Sequence, residues 1–272
     1  MEKIKWFFRV IWEFIFSKKY TKNTFCGPNY TDSIMSFNIR RDVISDGKNN
    51  WKFRRCAILD MIDCELPTVL CIQECMPHMW KFLKKNTSVQ FKGFYTDIIT
   101  KIISLIPFSE GLGILYSKDY SCLKKSYIKL SNKFGLDTKY WRICQYVKLF
   151  NKHTGQEFWV FNTHLDHKDK QARIEGCKII HNFIQTNCKN ETVFICGDFN
   201  EEINNNWSLF TLAENYKNFQ IYTKGTYNGY GNSNRCIDFI FNNYPNVYYT
   251  RIIDESYGID YLSDHYPIVI TL

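Results

Sequence analysis

The chain opens on a run that is apolar almost all the way round. Between Ile4 and Phe16 only Lys5, Arg9 and Glu13 interrupt it, and the run includes Trp6, Phe8, Val10 and Trp12. With Glu2 these three polar residues recur at three- and four-residue spacing, so they form one narrow stripe on a helix over residues 2–16. That helix is about 20 Å long, too short to span a bilayer. Arg9, Glu13 and the lack of a small-residue cleavage site set it apart from a signal peptide. With Lys18, Lys19 and Lys22 beside it, it suits a membrane surface. Its wide apolar face suits packing on its own domain or on a partner equally well. Thr21 to Asp32, with Gly27-Pro28-Asn29, has the composition of a linker.

From Ser33 the pattern changes to short apolar runs separated by turns. Ile34–Ile39, Thr68–Gln73, Gly111–Tyr116, Glu191–Cys196, Cys236–Phe241, Val247–Ile253 and Pro267–Leu272 read as strands. Ile143–Phe150 and Glu157–Leu165 read as a hairpin around Asn151-Lys152-His153-Thr154-Gly155. Trp51–Cys64 and Lys168–Gln185 carry helical periodicity. Strands and helices mixed through one region predict a single α/β domain. The chain then divides into an aromatic amphipathic helix (1–20), a linker (21–32) and a catalytic-sized domain (33–272).

Composition narrows this picture. Of 272 residues, 45% are hydrophobic and 23% charged, which excludes wholesale disorder. The net charge of +8 is uneven. Residues 1–25 hold Lys3, Lys5, Arg9, Lys18, Lys19 and Lys22 against Glu2 and Glu13, so the body is only mildly basic. That permits an anionic substrate without demanding one. The 11 cysteines form no Cys-x-x-Cys pair. Most stand inside apolar runs and read as reduced core residues of a cytoplasmic protein, not as a zinc site.

The candidate chemistry lies where strands stop. Asn38 and Arg40 follow Ser36-Phe37, and Glu74 follows Ile72-Gln73. His164 and Asp166 end Phe161-Asn162-Thr163. Asp198 and Asn200 follow Cys196-Gly197, Asp238 sits in Ile237–Phe241, and Asp264-His265 precedes the last strand. Singly, each is an ordinary turn former or a structural polar residue. Together they form an oxygen-rich set at strand ends, the edge where layered α/β folds bind ligands. Hard oxygen donors suit Mg²⁺ or Mn²⁺, and such a site suits attack of water on a phosphoester.

In order, Ser-Phe-Asn38-Ile-Arg40, Ile-Gln-Glu74, Glu110-Gly-Leu-Gly, Asn-Thr-His164-Leu-Asp, Gly-Asp198-Phe-Asn200, Ile-Asp238-Phe and Ser-Asp264-His265 resemble the endonuclease/exonuclease/phosphatase superfamily, the DNase I-like fold. Arg142-Ile-Cys and Thr-Tyr227-Asn228-Gly-Tyr give it the flavour of a bacterial-type branch. The resemblance covers Ser33 to Leu272. It implies a four-layer α/β/β/α sandwich and a metal-dependent phosphoric ester hydrolase using Mg²⁺ or Mn²⁺. It implies Glu74, Asn38 and Asp264 at the metal and Asp198 on the attacking water. Asn200 would hold a phosphoryl oxygen. His265, polarised by Asp238, would meet the phosphate, and His164 would pair with Glu110. Arg40, Arg142, Tyr227 and Asn228 are the substrate-side candidates. Asn38-x-Arg40 is the DNase I form and departs from the Asn-x-Asp of apurinic-site nucleases.

The shared catalytic edge does not separate substrates. A phosphodiesterase or nuclease is the leading expectation. A membrane-associated lipid phosphodiesterase of sphingomyelinase type, an inositol-phosphate phosphatase and a catalytically silent binding module are the alternatives. A nucleic-acid track would draw on Arg40, Arg41, Arg142, Lys168, Lys170 and Arg173, with Tyr227 and Tyr230. A lipid enzyme would use residues 2–20 and the Ile-rich stretch Ile98–Phe108, which reads equally as a core helix. The expected state is a monomer, cytoplasmic and peripheral to a membrane if the first helix binds one.

Overall fold

The computed structural model describes residues 2–16, 32–87, 91–96, 109–130, 142–203, 208–216, 222–247 and 249–272. The expected linker, apart from Asp32, and the stretch Ile98–Phe108 lie outside the described residues.

Two sheets face each other. The first has the order β10 (Tyr249–Ile252), β11 (Ile268–Thr271), β1 (Ser33–Asn38), β2 (Val69–Cys75), β4 (Gly111–Ser117) and β3 (Phe91–Thr96). The second runs β5 (Tyr120–Lys129), β6 (Ile143–Asn151), β7 (Glu157–His164), β8 (Val193–Asp198) and β9 (Asp238–Asn242). Each sheet contains one parallel pair. Helix α2 (Trp51–Glu65) links β1 to β2, and α4 (Lys170–Asn187) links β7 to β8. Helices α1 (Glu2–Ile15) and α3 (Pro77–Asn86) complete the first outer layer, and α5 (Phe210–Asn215) joins α4 in the second. This is the expected α/β/β/α sandwich.

Strand periodicity explains where the core and the site lie. Successive side chains point to opposite faces. Met35, Phe37, Leu70 and Ile72 pack under α2 and α3, while Ile34, Val69 and Cys71 enter the space between the sheets. In the second sheet Phe161, Ile195 and Phe239 pack under α4 and α5, while Val160, Cys196 and Ile240 face the first sheet. Continuing the alternation puts Asn38, Gln73, Asn162, His164, Asp198 and Asp238 on the inner faces. All six are buried. Gln73 Nε2 donates to Asn162 Oδ1 at 2.8 Å, so one amide pair ties the sheets beside the site. The residue before Asp198 must be small, because a Cβ on Gly197 would stand 2.2 Å from Thr163 O.

Several boundaries move for local reasons. The second long helix begins at Lys170 and not Lys168, because the Asp169 carboxylate accepts from the N–H groups of Gln171 and Ala172. Strand β5 escapes an apolar reading because it is an edge strand carrying Lys124, Lys125 and Lys129, charges that discourage edge-to-edge pairing. Helix α3, also unexpected, starts with Pro77 in its first turn. The reading of all cysteines as reduced needs correction at one place. Nine described cysteines are free, but Cys64 is disulfide-bonded. Unlike the strand cysteines, it sits half-buried near the end of α2.

Arg54 of α2 is buried, and its guanidinium donates to the carbonyls of Ile39 (2.8 Å), Leu262 (2.7 Å) and Arg40 (2.9 Å). It thereby joins the loop after β1 to the loop that carries Asp264. Replacing it by Met should cost about 3 kcal/mol or more, since several carbonyls lose their donor in a dry site. Urea unfolding measures this; an unchanged midpoint would remove Arg54 from the architecture of the site.

Candidate active site

The carboxyl ends of the two parallel pairs meet at one edge, and most of the expected residues gather there. The Asn38 amide nitrogen lies 2.9 Å from Asp198 Oδ2 and 3.3 Å from Glu74 Oε1. One side chain of the first sheet thus reaches a carboxylate of each sheet. The same nitrogen is 3.4 Å from His265 Nε2. His265 Nδ1 is 2.9 Å from Asp238 Oδ2, and its Nε2 is 3.6 Å from Asp198 Oδ2. His164 Nε2 is 3.5 Å from the same Asp198 oxygen.

Three site residues hold left-handed backbone that side chains ordinarily avoid: Arg40 (φ 52°), Glu74 (φ 55°) and Asn200 (φ 55°). Glu74 stands in a β-bulge, where the pairing of β2 with β4 shifts between Ile72 and Cys75. Simple alternation would turn it away from Asn38; the bulge re-aims it. Asn200 is fixed by its own N–H to Asp198 Oδ1 at 2.9 Å and by its side-chain amide to Leu165 O at 3.0 Å.

Glu74 and Asp264 converge on a common point. Arg40 Nη1 stands 4.0 Å from Glu74 Oε2 and 3.6 Å from Asp264 Oδ2. A single cationic nitrogen reaching both shows that the two carboxylates can share one positive charge. With Asn38 beside them, this hard-oxygen set fits a divalent cation. Asp198, Asp238 and His265 also cluster closely enough to hold a metal. There the His265 ring lies between the two carboxylates, as the Arg40 guanidinium lies near both Glu74 and Asp264.

The environment divides the titrating groups. Burial pulls the His265 pKa down, but Asp238 and Asp198 outweigh it and raise it to about 10. His265 is therefore a cation at neutral pH. Burial, with Arg142 nearby, pushes His164 well below its ordinary value, so it is neutral. Burial raises Asp198 to about 7, against the pull of His265. Burial would raise Glu74 too, but charge from His164 when protonated and from Arg40, with the Arg41 N–H at 3.1 Å, holds it at about 2. Since His164 is neutral, Arg40 and His265 are the effective cations. Burial and the Glu74 charge raise Glu110.

Other expected contacts come out differently. The ion pair of Glu110 is with Arg41, at 3.7 Å, and the carboxylate beside His164 is Asp198. The expected Glu110–His164 pair is therefore replaced, because Arg41 offers Glu110 a full charge and His164 is neutral. Arg40 forks onto Asp46 at 3.1 and 3.2 Å. The Asn228 side chain is buried and engaged with Ser263 O and Tyr230 N–H, so it shapes a turn. Tyr227 lays its ring against His265, 4.9 Å between centroids. Arg142 stands close enough to act electrostatically on His164, Glu110 and His167. Sequence reasoning missed Ser263, whose hydroxyl donates to Asn38 O at 2.7 Å, and Thr226, whose Oγ1 accepts from the Asp238 N–H at 3.0 Å. The Ser in Ser-Asp-His was the available signal for the first.

A model described as the Endonuclease/Exonuclease/phosphatase family matches residues 35–265, and the chain belongs to that family, a class of phosphoric ester hydrolases. Nocturnin of Rattus norvegicus is 25% identical over 188 residues, 62% of this chain and 43% of that protein. The chain thus aligns with less than half the length of this relative. Among solved structures, an endonuclease/exonuclease/phosphatase from Bacteroides vulgatus superposes with a TM-score of 0.78 at 23% identity, covering 89% of this chain and 98% of that one. A mannosyl-6-phosphatase from Bacteroides thetaiotaomicron gives 0.75 at 24%, covering 88% and 98%. At these identities the structures share the fold.

The opposed protonation states are measurable by nitrogen NMR of labelled imidazoles. His265 should hold its second proton until about pH 10 and His164 should be neutral at pH 7. Asp238→Asn removes the strongest charge raising His265, so its pKa should fall towards 6.5. A neutral His265 at pH 7 in the unaltered protein would overturn this assignment.

Proposed function

We propose that the protein is a Mg²⁺- or Mn²⁺-dependent phosphodiesterase. The observation that carries the proposal is the meeting, at one sheet edge, of the Glu74/Asn38/Asp264 oxygen set with Asp198 between two imidazoles. Glu74, Asn38 and Asp264 are the residues to hold the ion. Its chemistry is to neutralise charge on the phosphoryl oxygens. Asp198, with a pKa near 7, orients a water molecule and takes its proton. The His265 cation, held by Asp238, meets a phosphoryl oxygen. Asn200 and His164 position the same group, and Tyr227 with Arg142 flanks the substrate. The catalytic domain is residues 33–272, with the helix Glu2–Ile15 appended.

Substrate identity within this class turns on charge. Of the arginines expected to track a nucleic acid, Arg40 pairs with Asp46, Arg41 with Glu110, and Arg173 with Glu201. Little of that charge is spare for a long polyanion. This favours giving a lipid phosphodiester equal standing with nucleic acid. A panel of plasmid DNA, single-stranded RNA, sphingomyelin vesicles and inositol phosphates separates these substrates.

Hydrolysis of a generic phosphodiester should vanish in EDTA and return with Mg²⁺ or Mn²⁺; full activity in EDTA would sink the metal-assisted mechanism. Asp198→Asn and His265→Ala should each lower turnover by at least ~10²-fold with the fold intact, and Asp238→Asn by less.

The pH profile follows from the same groups. Asp198 must be ionised to take a proton, so the rate should rise through about pH 7. His265 must stay protonated, so the rate should fall again near pH 10. A profile flat between pH 5 and 8 would separate Asp198 from proton transfer.

A further inference from the structure

A helix that merely covers its own domain turns its apolar face inward. Helix α1 buries Val10 and packs Trp6 on the core, yet turns most of its aromatic face outward. Arg9 Nη2 donates to both oxygens of Asp42, at 2.8 and 2.7 Å, and Glu13 pairs with Arg55 at 2.8 Å. Trp6 Nε1 donates to Asp42 at 3.1 Å. At the far end Lys81 Nζ caps the carbonyls of Phe14 and Ile15 at 2.7 and 3.2 Å. Half of the polar stripe thus faces the protein. Ile4, Phe8, Trp12, Ile15 and Phe16 face outward and are 61, 64, 56, 52 and 54% exposed. The first four line an apolar groove along the helix.

We propose that α1 is a docking face built permanently onto the folded domain, and that its partner is an anionic lipid bilayer. The charge pattern selects this occupant. Arg9 and Glu13 neutralise their partners on the inner side. The exposed charges of the helix are Lys3 and Lys5 against Glu2, and the sequence that follows adds Lys18, Lys19 and Lys22. An aromatic and aliphatic face accompanied by lysines matches the acyl boundary and the anionic headgroups above it. A second copy of the chain on the same face would bring like-charged lysines together. No helix among the described residues is long and apolar enough to cross a membrane, so α1 lies on the surface.

The inference goes beyond the hydrolase reading and is independent of it, because its test reads binding.

The full chain should co-sediment with phosphatidylserine/phosphatidylcholine vesicles. Binding should weaken at least tenfold on phosphatidylcholine alone, and likewise for Lys3→Glu/Lys5→Glu on the mixed vesicles. Phe8→Ser/Trp12→Ser should abolish binding while circular dichroism stays unchanged, because both side chains are exposed. If that variant sediments like the unaltered chain, or the unaltered chain binds neither vesicle, the proposal fails. A dimer in analytical ultracentrifugation that forms in place of vesicle binding, and is lost in Phe8→Ser/Trp12→Ser, would also overturn it by assigning the face to a second copy.

Discussion

The site depends on one buried amide. Asn38 belongs to the first sheet and Asp198 to the second, and the 2.9 Å bond between them spans the gap in a place shut off from water. A hydrogen bond to a charged group in such surroundings is worth about 1.5–3 kcal/mol, and leaving either partner unpaired costs more. The sheets therefore cannot slide at this edge without a penalty. Every other contact of the site is measured from that fixed point: Glu74 on one side of the amide, His265 and His164 on the other side of Asp198. The Gln73–Asn162 pair, one residue further back on β2 and two on β7, repeats the tie in the layer behind.

Around that point, two histidines of one chemical type are set to opposite states. Both are buried, which by itself would neutralise both. His265 touches Asp238 and lies near Asp198, so it keeps its proton. His164 has Asp198 on one side and the charge of Arg142 on the other, so it loses its proton. In the proposed mechanism, this division supplies a cation for a phosphoryl oxygen and a neutral ring beside the carboxylate assigned to the water. It also explains why Glu110 turns to Arg41: the family pattern offered His164 as its partner, but a neutral imidazole competes poorly with a guanidinium 3.7 Å away.

The first helix shows the same competition between charge and apolar area, decided the other way from the usual. Asp42 is a buried carboxylate that needs a cation and donors. Arg9, Trp6, Asn50 and His78 supply them. Satisfying that carboxylate brings Arg9 and Trp6 of α1 against the domain beside the buried Val10, and much of the aromatic face is left outside. The buried charge thus dictates how the helix sits, and the helix in turn presents its aromatic residues to the surroundings.

Much of this protein could be read from its sequence. Apolar runs ending in Asn38, Glu74, His164 and Asp198, and the run that embeds Asp238, marked strands and the polar residues that the fold brings to one edge, because strand alternation and strand ends are local properties. The layered architecture followed from the order of those runs. What the sequence could not show are interactions between segments distant in the chain. The bulge that re-aims Glu74 arises only when β2 pairs with β4. Arg54 looks like an ordinary polar residue of a helix until the carbonyls of Ile39 and Leu262 close round it. The stripe of α1 is legible as a pattern, but a pattern does not say which way it faces. That was decided by a carboxylate 33 residues away, whose need for a partner in a dry interior outweighed the burial of an aromatic face.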